Sequence, residues 1–170
     1  MLRGHLMTNE LFLMTAQSFA TIVYLTLASI FLIPRLAQLS LNFVATILLI
    51  PHLFRFIALE IYSALENGNA GGSVEIYTTL IYGDVATAVL AIISVWALKL
   101  SWRFAKAMVW TTLIFGVIDQ ILAAYSVLST GVGETTSDLT WFSFAFFVPL
   151  LWVSSVLLIW QLWTRRTETI

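Results

Sequence analysis

The chain has 170 residues, 60% of them hydrophobic and only 10% charged, with a mean hydropathy of +0.95 and a formal net charge of -1. An average soluble domain is roughly 25% charged, so this composition, with its apolar residues in long blocks, argues against a soluble globular fold and leaves nothing over for a soluble domain. The lack of cysteine excludes disulfides, thiolate metal sites, iron–sulfur clusters and cysteine nucleophiles.

In chain order, a short polar tail containing Arg3 and His5 precedes a first apolar run at 11–33, long enough to span a bilayer and without a small-residue cleavage site after it, so it is expected to be retained. Pro34 and Arg35 should end it. A second run occupies 39–65, with Pro51 near its middle expected to kink the helix by removing one backbone hydrogen bond. The glycine- and asparagine-rich segment 66–73 reads as a loop. A third helix is expected at 75–98, a basic-aromatic link from Lys99 to Lys106 leads into a fourth at 104–128, and a polar loop at 129–138 precedes a fifth at 139–163, which contains Pro149. The reading is an all-α polytopic integral membrane protein, a single five-helix domain over 1–170. No heptad, solenoid or low-complexity repeat divides it. An odd number of spans also rules out a simple pair of inverted halves.

Charge sets the expected orientation. Arg35, Lys99, Arg103, Lys106, Arg165 and Arg166 fall on the side reached after runs one, three and five, whereas the other side holds Arg3 alone. The positive-inside rule therefore puts the N-terminus outside and the C-terminus in the cytoplasm, in a bacterial inner or plasma membrane. Glu10, Glu66, Glu75, Glu134 and Asp138 lie on the outer side, and the aromatic belts agree. Trp96, Trp102, Trp160 and Trp163 sit near the inner boundary, with Tyr62, Tyr77 and Trp141 near the outer one.

The residues that do not belong in lipid carry the functional reading. An ionisable side chain at the centre of a span costs about 2.5–3.5 kcal/mol on insertion scales, so it faces a partner or a wet cavity. Arg55, Asp84 and Asp119 each lie nine or ten residues from the outer end of their run, roughly 14–15 Å deep in a core of about 30 Å. One guanidinium with five donors can serve two carboxylates. Asp84 shares a helical stripe with Thr87, Ala88 and Ala91, and Asp119 with Gly116, Gln120, Ala123 and Ser126, small residues that permit close helix approach. Gln17, Ser18 and Thr21 of the first helix approach from the outer half, and Pro149 lies near the same depth. His52 lies one turn inward of Arg55, and Glu60 about one and a half turns outward.

Each of these has a plain structural reading beside the functional one. A buried Arg–Asp cluster can serve only as glue between helices, His52 can be a satisfied core side chain, Glu60 can snorkel to the outer surface, and Trp110 and Trp152 can face lipid or packing partners. A single intramembrane histidine does not provide bis-histidine haem ligation, and no cofactor or metal site is legible. Gly131 and Gly133 have no following phosphate-loop helix, and a Ser63–His52–Asp84 triad has no support in its spacing. The basic inner link suits anionic headgroups rather than nucleic acid.

Chain length, five spans and seven tryptophans are superficially similar to the translocator-protein family, but its proline-tryptophan motifs are missing. The small multidrug-resistance transporters carry their embedded carboxylate in the first helix, which here has no acid after Glu10. The expectation is thus a non-enzymatic membrane protein. Its midplane polar cluster of Arg55, Asp84, Asp119, His52, Glu60 and Gln120 binds or moves a small or amphiphilic ligand, a proton or a cation. The alternatives are an accessory subunit of a larger membrane complex whose cluster only locks its helices, and a lipid-modifying enzyme using His52, Glu60 or an aspartate as acid or base, for which no metal-ligand cluster or activated nucleophile is legible. The expected partners are the bilayer, that ligand and, for transport, at least a second copy of the chain.

Overall fold

A computed structural model describes residues 9–66, 74–130 and 138–168. The expected loops at 67–73 and 131–137, with Glu134, and the N-terminal tail with Arg3 and His5 lie outside the described residues, as do the side chains of Glu66, Glu75 and Asp138. Among the described residues there is no strand. Five helices are long and apolar enough to cross a membrane: helix one Asn9–Leu36, helix two Leu41–Ser63, helix three Tyr77–Lys99, helix four Ala105–Ser129 and helix five Leu139–Thr164. Helix one packs on five, five on two, two on three and three on four, whereas four and five touch only slightly. That divergence leaves a gap which the structure fills with neither helix.

The three prolines shape the helices in two opposite ways. Helix one does not stop at Pro34. A π-helical turn at Ala28–Leu32, closed by the Ile33 N–H on the Ala28 carbonyl, widens the backbone just before the proline, and the helix continues as Ile33–Leu36. Helix five repeats the device, with a π turn at Ser143–Phe147 closed by the Val148 N–H on the Ser143 carbonyl immediately before Pro149. The wider turn gives the ring the room it lacks in a regular helix. Pro51 acts the other way: helix two tightens after it into a 3-10 segment, Phe54–Leu59. With three residues per turn, positions three apart eclipse each other. His52, Arg55 and Ile61 therefore all stay buried on one face while Phe54, Phe56 and Leu59 stay exposed on the others.

Short connections hold the end of the bundle that carries the C-terminus. Ser40 caps helix two by accepting from the Phe43 N–H at 3.3 Å. Between helices three and four the Trp102 N–H reaches back to the Ala97 carbonyl at 3.0 Å across Ser101, which takes the left-handed conformation at φ 50. Arg165, beyond helix five, donates to the carbonyls of Leu36 and Leu39 at 3.2 and 2.9 Å and to Glu168, tying the tail to the first connection. These bonds from Arg165 hold the exposed Glu168 carboxyl below its ordinary range.

Two apolar cores result. The larger, at the C-terminal end, packs Leu41, Leu48, Leu49, Leu98, Leu113 and Leu158 with their neighbours; the smaller, at the other end, is built from Ile61, Tyr77, Leu80 and Ile81. Tyr77, expected at the outer boundary, is instead wholly buried here, because distance from a loop fixes its level along the helix but not the direction it faces. Trp96, Trp102, Trp160 and Trp163 are exposed, as a boundary belt would require. Many large apolar side chains face outward, Phe19, Ile22, Ile30, Ile114, Leu122 and Val156 among them. Several hydroxyls on the helices are satisfied within their own helix. The hydroxyls of Thr15, Thr26, Thr46, Thr87 and Thr111 each donate to the carbonyl four residues back.

Candidate functional site

A polar layer separates the two cores. Its centre is Arg55, delivered by the 3-10 segment of helix two with 1% of its side chain exposed. The Arg55 Nε lies 3.1 Å from Asp84 Oδ1 of helix three, an ion pair whose N–H is not aligned for a hydrogen bond. Nη1 donates to Asp119 Oδ2 of helix four at 3.1 Å, and Nη2 donates to the Gly116 carbonyl at 3.3 Å. One cation therefore binds helices two, three and four through three separate nitrogens. At full ionisation the trio carries a net single negative charge. The carboxylates are the more open members, with 26% of Asp84 and 13% of Asp119 exposed.

Two glycines make this approach feasible. A Cβ at Gly116 would stand 3.0 Å from Thr87 Cγ2 and 3.5 Å from Arg55 Nη1. At Gly83 the conflict is sharper, since a Cβ there would occupy the place of the Asp119 carboxylate. Asp119 thus lies directly on the backbone of helix three, within reach of Arg55 only because residue 83 has no side chain.

His52 sits on the opposite side of Arg55 from the cavity described below. It is fully buried, with Nε2 at 3.4 Å from Ser154 Oγ and 3.3 Å from Ser155 Oγ of helix five, while Nδ1 has no hydrogen-bond partner among the described residues. The layer therefore reaches helix five through these serines. Neither Ser63 nor Asp84 meets His52 to form a triad. A second polar tie, Ser94 Oγ to Thr112 Oγ1 at 2.8 Å, joins helices three and four toward the larger core.

On its other side the layer opens into a cavity of about 400 Å³, within the range of small-molecule sites. It occupies the gap between helices four and five, with helix one along its side. Gln17 and Thr21 line it, but Ser18 turns away to bond the Met14 carbonyl. The Gln17 amide donates at 3.0 Å to the Phe144 carbonyl in the π turn of helix five, pinning helix one over the opening. Arg55, Asp84 and Asp119 form the floor, and Glu60, Glu10 and Gln120 also face in. Phe144, Phe147 and Trp152 supply aromatic walls, so Trp152 borders the cavity instead of serving only as outward packing. Gln120 is 4% exposed, and neither its amide oxygen nor its nitrogen has a hydrogen-bond partner among the described residues.

Of the residues singled out from sequence, the structure brings Arg55, Asp84 and Asp119 into contact, places Glu60 and Gln120 on the same cavity, and sets His52 apart on the packed side. Sequence reasoning missed Gly83 and the Ser154–Ser155 pair. The available signal was a glycine adjoining an intramembrane acid and two serines in an otherwise apolar helix. Among the described residues no group of three His, Asp or Glu side chains could hold a metal ion.

A family model described as a domain of unknown function, DUF8737, matches residues 12–163. No curated protein and no solved structure matches the chain.

Proposed function

The chain belongs to the DUF8737 family, and from that premise we propose that it is an integral membrane protein whose cavity binds, or passes, a small or amphiphilic ligand, a proton or a cation. The bilayer assignment is supported by five apolar helices with apolar outward faces. The basic residues gathered with Trp96, Trp102, Trp160 and Trp163 at one end support an outside N-terminus and a cytoplasmic C-terminus, in a plasma or bacterial inner membrane. Because the chain has no cysteine, single cysteines introduced at Ser129 and Ser40 report this orientation. In intact cells an impermeant thiol reagent should label the first and spare the second, and the reverse pattern would invert the topology.

The observation that carries the binding reading is a preformed cavity over a charged floor, with the amide of Gln120 buried there and without a partner among the described residues. A buried polar group left unpaired costs about 1–3 kcal/mol, a penalty that a ligand or water in the cavity would relieve. On this reading a binding pocket needs no second copy, while five helices enclose so little volume that transport would call for at least a dimer. In Asp84→Asn and Asp119→Asn we expect ligand affinity or flux in proteoliposomes to fall by about tenfold or more with the fold retained, the scale of losing one charge-assisted hydrogen bond. Unchanged activity in both would remove the reading.

One observation favours a second reading, an accessory subunit with a purely structural polar layer: Arg55 is completely buried and joins three helices. On that reading the same two substitutions lower the melting temperature in detergent and abolish assembly with a partner, without any ligand effect.

A further inference from the structure

Within the binding reading just given, on which this rests, we infer that the cavity is built for an amphiphilic organic cation, an ammonium group attached to an apolar body. Its charged walls are mostly anionic. Four carboxyl side chains, Glu10, Glu60, Asp84 and Asp119, line it against a single cation, Arg55. That cation is already committed through Nε, Nη1 and Nη2 to Asp84, Asp119 and the Gly116 carbonyl, which leaves it no free nitrogen for an incoming anion. Asp84 pairs with Arg55 through Oδ1 and is the more exposed of the two aspartates, so its carboxylate is the natural seat for an ammonium N–H.

The acidic excess alone would not define a site; Gln120 adds an independent observation. Its side chain is more than nine-tenths buried, it borders the cavity, and among the described residues it lacks a partner on both its donor and its acceptor atom. An ammonium N–H meets the amide oxygen, and a hydroxyl or carbonyl beside it on the ligand, or a carried water, meets the amide N–H. Phe144, Phe147 and Trp152 then provide the apolar wall, and aromatic faces attract a cation further. A bare metal ion fits poorly, because the described residues hold no cluster of three ligating side chains, and a ring of aromatic and aliphatic groups has nothing to give it. An amphiphilic anion would face four carboxyls with no free donor of charge.

The test uses the full chain in nanodiscs of zwitterionic phosphatidylcholine, with empty discs subtracted, and three probes of one shape: phenylbutylammonium, phenylbutanol and phenylbutyrate. Binding is read by equilibrium dialysis. We expect the ammonium to bind at least about tenfold more tightly than the alcohol, and the carboxylate to bind least, as a charge-assisted contact requires. Gln120→Leu, close in size and outside the ion pairs, should weaken the ammonium by about tenfold while leaving the melting temperature equal or higher, since it removes an unpaired buried amide. Alcohol or carboxylate binding as tight as the ammonium overturns the cationic class and leaves the cavity reading standing. Failure of all three probes to bind folded protein defeats both, and undiminished ammonium binding by Gln120→Leu overturns the site as placed.

Discussion

Replacing Arg55 by methionine is expected to destabilise the protein by about 3–5 kcal/mol, the range found when one partner of a buried ion pair is removed. The substitution keeps a long apolar stem but deletes two ion pairs and the hydrogen bond to the Gly116 carbonyl, leaving Asp84 and Asp119 in one enclosed layer with no counter-charge. Both carboxylates are less than one-third exposed, so solvent does little to soften the loss. The penalty comes from the stranded acids more than from the lost attraction. Adding Asp84→Asn and Asp119→Asn to Arg55→Met should therefore restore much of the stability, since a neutral layer needs no cation. Unfolding midpoints in detergent for the single and triple variants test this. An Arg55→Met protein that unfolds like the parent would mean the guanidinium does not hold the three helices. Arg55→Lys should fall between, because a single ammonium cannot fork to reach Asp84, Asp119 and the carbonyl together.

The second large effect is expected at Gly83, where the sign of the change is itself informative. Intrinsic preference makes glycine worse than alanine inside a helix by roughly 0.5–1 kcal/mol, so Gly83→Ala should stabilise if residue 83 faced open space. It faces the Asp119 carboxylate, and the added methyl and that oxygen cannot share one position. Either helix four moves off helix three or Asp119 leaves Arg55. Overpacking alone costs about 1–3 kcal/mol, and the strained ion pair adds to it. The diagnostic is coupling: Asp119→Ala vacates the space, so Gly83→Ala should be much milder in that background than in the parent. Equal effects of Gly83→Ala in both backgrounds would show that the two residues do not touch.

Arg55, Asp84 and Asp119 could be picked out of the sequence because ionisable groups stand out in apolar runs, and a shared depth on helices running in alternate directions brought them to one level. Their direction was less legible. Helical periodicity put Asp119 and Gln120 on one stripe but could not say that Gln120 borders empty space while its neighbour is paired. Tyr77 shows the same limit, since its level along the helix was right for a boundary residue and its facing was not. Prolines announced irregularity without revealing its kind. Losing one N–H is compatible with a tighter turn, as after Pro51, or a wider one, as before Pro34 and Pro149, and surrounding packing selects between them. Gly83 was hidden because glycine is common in membrane helices, and the cavity because it arises from the parting of helices four and five, which no local pattern encodes.

Helix one has only 17% of its apolar window buried, against 28–44% for the others, and the Gln17 amide ties it across the chamber to the Phe144 carbonyl. In the bilayer setting proposed above it would be the least costly of the five to displace, with acyl chains taking over the surface it uncovers. A guest dissolved in the leaflet would then enter sideways, never passing through bulk water. Its arrival rate would follow the fluidity and thickness of the surrounding lipid.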